Sequence, residues 1–421
     1  MKLWIGTAIM ALTVILSPVA MAEPADKDGI FAVVLENNPR ITAALARVRS
    51  AQGAHQQASV APNPEASFEL ENFGGNDNLR GIDGVEATIG LQQEIEIAGK
   101  RQKRTELADY QIQIAQQQAL AEALSLLAEA DYTYMRLGIA QERVALAQKR
   151  VDLSQQTHDT VKNRVRAAAA SDIQHTKADI ELAAARLQLK RAEQELTDSH
   201  SALSALTNMA TDIAVKVTTQ NLPPLPDRQA LLQSARNTPH SRAASLAQMQ
   251  ATKRFDLENV QGIPNPVLGI GIRHSRDEDN TSFIAGLSFA LPVYNRNQGT
   301  IRQAQADIAE AEALSHHQNL MMHQNAAATW EKLNTAYHEV AAYDNDIVPS
   351  AQRAYQQASD GYRAGRFSFL DLLDAQRTLY EAQESRLNSL LSFYEAQAQA
   401  NYLTGVYEPV IRNILNFETG E

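Results

Sequence analysis

Every second side chain is apolar through most of VEATIGLQQEIEI, residues 85–97. The odd-numbered positions carry Val, Ala, Ile or Leu, with Gln93 as the exception, and the even-numbered positions carry polar residues or glycine. Because successive side chains of a β-strand point to opposite faces, this alternation predicts a strand over 85–97 with one apolar face and one polar face.

Three further stretches repeat the pattern. Phe68 and Leu70 alternate with glutamates and predict a partner strand over 66–73, joined to the first strand by the polar loop 74–84. In the second half of the chain, strands are predicted at 267–273 and 282–293. Their apolar faces cover either a soluble core or lipid. We favour lipid, because the remaining segments offer no broad apolar face to lie on a sheet.

The rest of the chain is rich in Ala, Gln, Leu, Glu and Arg, which favour long helices. Helices are predicted at 37–61, 101–165, 171–208, 239–262, 299–363 and 369–405. In 101–165 the apolar residues keep the three-, four- and seven-residue spacing of a narrow coiled-coil seam. A segment of about 65 residues makes a rod of about 97 Å. The shorter helices, summed in pairs, match the two long ones, which predicts four rods per chain.

The two halves of the chain repeat each other at an offset of about 200 residues. Asn37-Asn38-Pro39 corresponds to Asn237-Thr238-Pro239, and Pro62-Asn63-Pro64 corresponds to Pro264-Asn265-Pro266. We therefore predict a signal peptide at 1–22 and a first repeat at 23–225, with one helix, strands 66–73 and 85–97, and a helical hairpin at 101–208. A second repeat at 226–421 has one helix, strands 267–273 and 282–293, a hairpin at 299–405 and a C-terminal equatorial segment.

The N-terminus predicts export. Lys2 precedes an apolar run over 3–16, and Ala20-Met21-Ala22 resembles a signal cleavage site. The chain has no cysteine, so no thiol is available for a lipid anchor, and we expect an unlipidated protein that is stabilised by packing and oligomerisation. A net charge of -11 argues against a nucleic-acid partner. No stretch after the signal approaches the roughly 18 apolar residues of a membrane-spanning helix, so strands would have to cross the membrane.

Strands in lipid require a closed sheet. An open edge there leaves backbone groups unsatisfied at several kcal/mol each, so four strands predict an oligomer. A dimer would supply eight strands and a trimer twelve, and only the larger barrel leaves a lumen. The predicted fold is a mixed α/β membrane protein, with a long coiled-coil helical barrel, a transmembrane β-barrel of four strands per protomer and two internal repeats.

Five segments resemble the TolC superfamily of outer membrane factors, and within it the CzcC-type branch of metal-resistance proteins. They are residues 37–39, residues 62–64, LQQEIEIAGK at 91–100, LPVYNRNQG at 291–299 and GYRAGRFSFLDLLDAQ at 361–376. The resemblance implies a homotrimer in outer-membrane lipid with a tunnel extending into the periplasm. It also implies two protein partners, a periplasmic adaptor and an inner-membrane RND transporter.

The same resemblance implies roles for residues near the two helical tips. Tyr362, Ser171 and Asp172 match links that hold the tunnel closed, while Phe367 occupies the position of a basic link residue and lies beside Arg366.

Asp371 and Asp374 match aspartates that ring the pore constriction, where like charges concentrate cations. The alternative is that both aspartates only favour the start of a helix.

The tips themselves combine small residues with arginine, which permits close approach of partner helices. The predicted adaptor-docking residues are Arg166, Ala168, Arg363, Gly365 and Arg366. Two ordinary helix turns are the alternative.

The sequence gives weak signals for metal ligands and none for catalytic groups. His316, His317 and His323 lie in one His/Met-rich tract and are weak candidates for metal ligands, with a solvated helix face as the alternative. The other histidines, including His158 and His175, are interpreted as scattered. No nucleophile–base pair, phosphate loop or Cys/His motif is present in the sequence, so we expect neither an enzyme nor a cofactor.

These observations predict the exit duct of an RND-type tripartite efflux system that exports divalent heavy-metal cations. One alternative is the same duct serving drugs or organic solutes. Another is a periplasmic coiled-coil adaptor or scaffold without a barrel.

Overall fold

The structure is a computed structural model, and it describes residues 27–74, 76–77, 81–209 and 222–415. The predicted signal peptide lies outside these residues. The helices are α1 (Lys27–Asn37), α2 (Pro39–Ser59), α3 (Lys100–Arg166), α4 (Asp172–Thr207), α5 (Arg228–Ser234), α6 (Pro239–Gln261), α7 (Gln298–Ala342), α8 (Val348–Arg363), α9 (Phe369–Thr404) and α10 (Glu408–Leu415). The strands are β1 (Glu65–Glu71), β2 (Glu86–Glu94), β3 (Val267–Ser275) and β4 (Asn280–Ser288).

The four strands form one antiparallel sheet in the order β1-β2-β3-β4, which confirms the predicted strands as a single small sheet. Its register aligns the apolar positions in rows: Phe68 pairs with Ile89, Ile89 with Ile272, and Ile272 with Phe283. These side chains are 64%, 66%, 49% and 88% exposed, respectively. Within the described residues, the apolar face of the sheet is therefore not covered by the helices of its own chain.

The opposite face of the sheet is polar. The Arg273 guanidinium lies 3.1 Å from a carboxylate oxygen of Glu71 and 3.2 Å from one of Glu86, so opposite charges meet across three strands. Gly271 permits close strand packing here, because a Cβ at this position would lie 2.9 Å from the Ile89 carbonyl oxygen. The sheet thus has the two unlike faces that the alternation predicts.

Long helices make up most of the molecule. The 67 residues of α3 form a rod of about 100 Å. A second rod runs from α7 through a π-helical turn (Tyr343–Ile347) into α8. The shorter helices α2 and α4 pack along α3, while α6 and α9 pack along α7. None of the described helices combines the length and apolarity needed to cross a membrane.

The main core lies around the middle of α3 and the second half of α9. Its fully buried side chains include Leu124, Leu127, Leu390 and Phe393, and each such burial contributes about 1.5–3 kcal/mol. Alanine is frequent in this core, which lets the helices pack closely.

A buried carboxylate on α3 ties two other segments of the chain to this core. Asp131 is 4% exposed. One of its oxygens lies 2.7 Å from Lys27 Nζ, and the other accepts a hydrogen bond of 2.6 Å from the Tyr407 hydroxyl. Burial, together with the adjacent carboxylate, raises the pKa of Tyr407. The contact joins α1 and the C-terminal segment to α3.

The predicted helix at 37–61 is wrong at its start. The structure has a separate helix α1 and begins α2 at Pro39. Asn38 has extended backbone angles, as residues before proline prefer, and its side chain accepts a hydrogen bond from the Arg40 N–H. Thr238 likewise precedes a proline and caps α6, with its hydroxyl oxygen accepting a hydrogen bond from the Ser241 N–H.

The predicted helix at 299–363 is interrupted by the π-helical turn. Pro349 is the second residue after that turn, lacks an N–H and would clash with the carbonyl four residues earlier in a regular α-helix. A wider turn accommodates that constraint while the rod continues.

The bounds of all four strands differ from the prediction, and the largest differences are at β2 and β4. β2 ends at Glu94, before Ile97, because Ala98 and Gly99 have φ of 58° and 71° and turn the chain into α3. β4 begins at Asn280, directly after the turn residue Asp279, and ends at Ser288, whereas 282–293 is predicted.

Candidate functional site

The two tips, residues 167–171 and 364–368, connect α3 to α4 and α8 to α9. Both begin with the same turn. Ala168 and Gly365 lie at equivalent positions with φ of 52° and 71°, and the N–H groups of Ala169 and Arg366 each donate 2.8 Å hydrogen bonds to carbonyls in the last helical turn. This arrangement satisfies the carbonyl groups at the helix ends.

The start of α9 is fixed by a capping box. The Ser368 hydroxyl oxygen accepts a hydrogen bond from the Asp371 N–H, and the Asp371 carboxylate accepts one of 2.8 Å from the Ser368 N–H. The Ser368 hydroxyl also donates a 2.7 Å hydrogen bond to the Asp371 carboxylate, and this bond, together with the one from the Ser368 N–H, holds the pKa of Asp371 below its ordinary value. Asp371 therefore has the capping role that the sequence left as an alternative. Its carboxylate and that of Asp374 are both exposed, and their place in a constriction stays a prediction.

The two hairpins contact each other through Arg164 and Tyr362. The Arg164 guanidinium carbon lies 4.7 Å from the centre of the Tyr362 ring, and its Nη1 donates a 2.9 Å hydrogen bond to the Tyr362 carbonyl oxygen. The sequence interpretation missed Arg164. The sequence could have indicated Arg164 only as a basic residue in the last turn of α3, and basic residues are common at helix C-termini.

Tyr362 is a packing residue within its own chain. It is 3% exposed, its ring lies 5.8 Å from that of Phe369, and its buried hydroxyl has no hydrogen-bond partner in the described part of the chain. Burial raises the pKa of this phenol. The predicted link role of Tyr362 is not tested by these contacts.

The other predicted tip residues are exposed. Ser171 is the N-terminal cap of α4, but its side chain makes no capping hydrogen bond, and the Asp172 side chain is exposed beside it. The exposed docking candidates are Arg166, Ala168, Arg363, Gly365 and Arg366. Three apolar side chains next to them are also exposed: Ile173 at 69%, Leu370 at 59% and Phe367 at 50%. The tips thus present arginine and apolar side chains together.

Below the tips, a polar contact joins the hairpins inside the packed layer. Gln376 is 1% exposed, and its side-chain amide donates a 3.2 Å hydrogen bond to the Ser154 hydroxyl. Nearby, the Arg150 guanidinium carbon lies 5.1 Å from the centre of the Tyr380 ring, whose burial raises its pKa. These residues fix α3 against α9. Gln376 ends the segment 361–376 that carries the family resemblance, but no sequence pattern indicated these contacts.

The His/Met-rich tract does not form a cluster of ligands. His316, His317 and His323 are exposed on α7, whereas the intervening Met322 is buried in the main core. Within the described residues, these histidines do not belong to any group of three or more metal-ligating side chains.

The sequence and the fold are both similar to those of known proteins. The chain is similar to the cobalt-zinc-cadmium resistance protein CzcC of Cupriavidus metallidurans, with 28% identity over 92% of this chain and 92% of that protein. It is similar to the pyoverdine export outer membrane protein OpmQ of Pseudomonas putida, with 23% identity over 90% of this chain and 85% of that one. Its fold is that of the outer membrane protein VceC of Vibrio cholerae, with a TM-score of 0.76 at 19% identity over 90% of this chain and 96% of that chain.

The class is that of TolC-like outer membrane channels, which carry out efflux and are not enzymes. The model of the family described as "Outer membrane efflux protein" matches residues 32–209 and 230–406, well over half of the chain. The chain belongs to the outer membrane efflux protein family. The suspected resemblance and the outer-membrane location are therefore confirmed.

Proposed function

We propose that three copies of this chain form the exit duct of an RND-type tripartite efflux system. In this assembly the sheets close into a twelve-stranded transmembrane β-barrel, and the helices form a tunnel through the periplasm. The two matched ranges, one in each half of the chain, support the proposed internal repeat.

The observation that carries this proposal is the bare apolar face of the sheet. Phe283, Ile89 and Ile270 are 88%, 66% and 65% exposed on one surface. In water this surface would be unfavourable by about 25 cal/mol per Å² of apolar area, and in lipid it would be favourable. Strands β1 and β4 have one neighbour each within the described residues. In a bilayer these edges need partners, and three sheets joined side by side provide them while leaving a lumen.

Lysine at Phe283 tests the lipid-facing surface. We expect Phe283→Lys to destabilise the assembled protein by about 2–4 kcal/mol per chain if the site lies near the bilayer midplane, since a charge there is costly. The measurement is the temperature at which the oligomer dissociates in detergent and in reconstituted lipid.

The matched control is Ser282→Lys, the adjacent position on the polar face of the same strand. It is expected to have little effect. Equal dissociation temperatures for both variants would contradict a lipid-facing apolar side.

The tips are proposed to dock a periplasmic adaptor, which in turn connects the duct to an inner-membrane RND transporter. Exposed arginines beside Ile173, Phe367 and Leu370 support this role, because small, apolar and cationic groups together suit a helical partner. An adaptor or scaffold without a membrane sheet, the alternative considered from the sequence, does not fit an outer membrane efflux protein.

We propose divalent heavy-metal cations as the cargo. The extensive similarity to a cobalt-zinc-cadmium resistance protein supports this cargo, as do two exposed aspartates near the α9 tip. The similarity to a pyoverdine export protein supports the second candidate, a duct for organic solutes.

Deletion of the gene decides between these cargoes. We expect the strain that lacks this chain to lose tolerance of zinc, cobalt or cadmium severalfold and to regain it on complementation. Growth inhibition is measured for these cations and for a panel of antibiotics. Unchanged metal tolerance with reduced antibiotic tolerance would reject the metal cargo and favour organic solutes.

A further inference from the structure

Two histidines that are well separated in the sequence meet on the α3–α4 hairpin, close to its tip. His158 lies near the end of α3, and His175 and Asp179 lie in the first turns of α4. The interpretation of His158 and His175 as scattered is wrong, because their ring centres lie only 5.2 Å apart.

The three side chains direct potential ligand atoms at one point. One Asp179 oxygen lies 3.0 Å from His158 Nε2, and the other lies 3.4 Å from His175 Nδ1. One ligand atom from each of the three residues lies within 4.8 Å of the other two. Ligand atoms about 2.0–2.2 Å from a tetrahedral zinc ion are themselves about 3.3–3.6 Å apart, so only small adjustments separate this cluster from a metal site.

A second carboxylate already orients His158. The Nδ1 of this ring lies 3.0 Å from an Asp159 oxygen, and the Gln155 amide donates hydrogen bonds of 3.2 Å to both oxygens of that carboxylate. Metal-ligating histidines characteristically donate their other ring N–H to a carboxylate, which fixes the tautomer and makes the ligating nitrogen more basic. His158 is thereby set to present a lone pair on Nε2 towards Asp179.

His175 has a ring nitrogen that nothing in the described residues satisfies. Its Nε2 is buried and has no hydrogen-bond partner. Its Nδ1 is the nitrogen that faces Asp179, so an ion held among the three side chains is bound through Nδ1 and leaves Nε2 to carry the ring proton.

We propose that His158, His175 and Asp179 bind a divalent transition-metal ion of the zinc class, such as Zn²⁺ or Co²⁺. Two imidazoles and one carboxylate favour such ions over Mg²⁺ and Ca²⁺, which prefer oxygen ligands. Three protein ligands leave a fourth position for water or for a group from a partner. The bound ion joins α3 to α4 close to the tip that is proposed to dock the adaptor, and so it stiffens this hairpin. The site is independent of which cargo the duct carries.

The competing explanation is electrostatic. A protonated His158 between Asp159 and Asp179 would form two ion pairs without any metal. The two explanations differ in whether the protein binds a metal ion at these residues.

Cobalt titration of the purified full-length protein in detergent, after chelator treatment, distinguishes them. We expect the visible spectrum of tetrahedral Co²⁺ with one ion per chain, and loss of the spectrum on addition of Zn²⁺. His158→Ala and His175→Ala should abolish this binding, and Asp159→Asn should weaken it about 10- to 100-fold, as removal of an outer partner does. His55→Ala is the matched control, because His55 contacts a single aspartate, Asp109, at 3.0 Å. It should bind Co²⁺ like the unsubstituted protein.

Several outcomes would overturn the proposal. The first is a Co²⁺ spectrum that shows only the hydrated octahedral ion. The second is Co²⁺ binding that survives in both alanine variants. The third is Co²⁺ binding that is lost instead in a variant with alanine at His316, His317 and His323. If the alanine variants fail to fold by circular dichroism, zinc-edge X-ray absorption of the unsubstituted protein decides. Two nitrogen ligands of the imidazole type support the site, and their absence rejects it. The assay measures binding alone, so its failure leaves the efflux experiments unaffected, and the reverse also holds.

Discussion

Replacement of both Asp371 and Asp374 by asparagine is expected to weaken block of the channel by hexamminecobalt(III). The concentration of this cation that gives half-block should rise about 100-fold. This figure lies in the middle of the 10- to 1,000-fold range over which a like-charged cleft concentrates counter-ions. Three copies of the exposed pair supply six carboxylates if the tips surround the pore, as the family resemblance implies. Single-channel recording in planar bilayers measures the block.

Asparagine is chosen because of the capping box. Its side-chain oxygen still accepts the hydrogen bond that Asp371 accepts from the Ser368 N–H, so the start of α9 is preserved while the charge is removed. Asp198→Asn is the control, since this exposed carboxylate lies about 39 Å further along α4 from its first residue. Unchanged block in the double variant, or equal loss of block in the control, would reject the constriction.

The pH dependence of this block has a definite sign. Hydrogen bonds from the hydroxyl and the N–H of Ser368 hold the pKa of Asp371 below its ordinary value. The stabilising contribution of the capped carboxylate is therefore present above the unfolded pKa and is lost as the pH falls through the lower folded pKa. Block by cations should likewise persist in acid until Asp371 itself becomes protonated.

Alanine at Arg164 is expected to shift the channel towards its open state by about 30-fold in the open-to-closed ratio for each chain. The guanidinium makes a cation–π contact with the Tyr362 ring and a charged hydrogen bond to its carbonyl. Allowing for partial exposure, these contacts amount to about 2 kcal/mol per chain. We propose that they hold the two hairpins of the closed tip together, so that their loss favours opening. Open probability in planar bilayers is the measurement.

Arg166→Ala removes the same charge two residues later, from an exposed side chain, and is expected to leave open probability unchanged. A shift of similar size in both variants would assign the effect to net charge at the tip. No shift in Arg164→Ala would show that the Arg164–Tyr362 contact does not hold the channel closed.

Local patterns were sufficient to predict the main elements. Alternation in 85–97 specifies a two-faced strand because side chains on a strand point to opposite sides, whatever surrounds it. The helical composition of α3 and the spacing of its apolar residues likewise specify a long thin rod. Two prolines act through local constraints as well. Pro39 marks the break between α1 and α2, and Pro349 accompanies the π-helical turn between α7 and α8. The sequence interpretation predicted neither feature.

The site was predicted less completely, because it depends on contacts between segments. Ser368 and Asp371 are three residues apart, so a local motif reveals their capping box. Arg164 and Tyr362 are in different halves of the chain, and no local pattern indicates that they meet. The tract at His316–His323 is dense in sequence yet does not gather ligands, because Met322 points into the core while the histidines point outward.

The sequence by itself determined which segments are strands and rods, which face of each strand is apolar, and that the chain resembles an outer membrane efflux protein. These properties depend on periodicity and short motifs, and both are set by residues that are close together along the chain. The tertiary structure alone decided which side chains meet. Folding the α3–α4 hairpin brings His158 beside His175, and packing the two hairpins brings Arg164 onto Tyr362, because helices placed side by side bring together residues that are far apart along the chain.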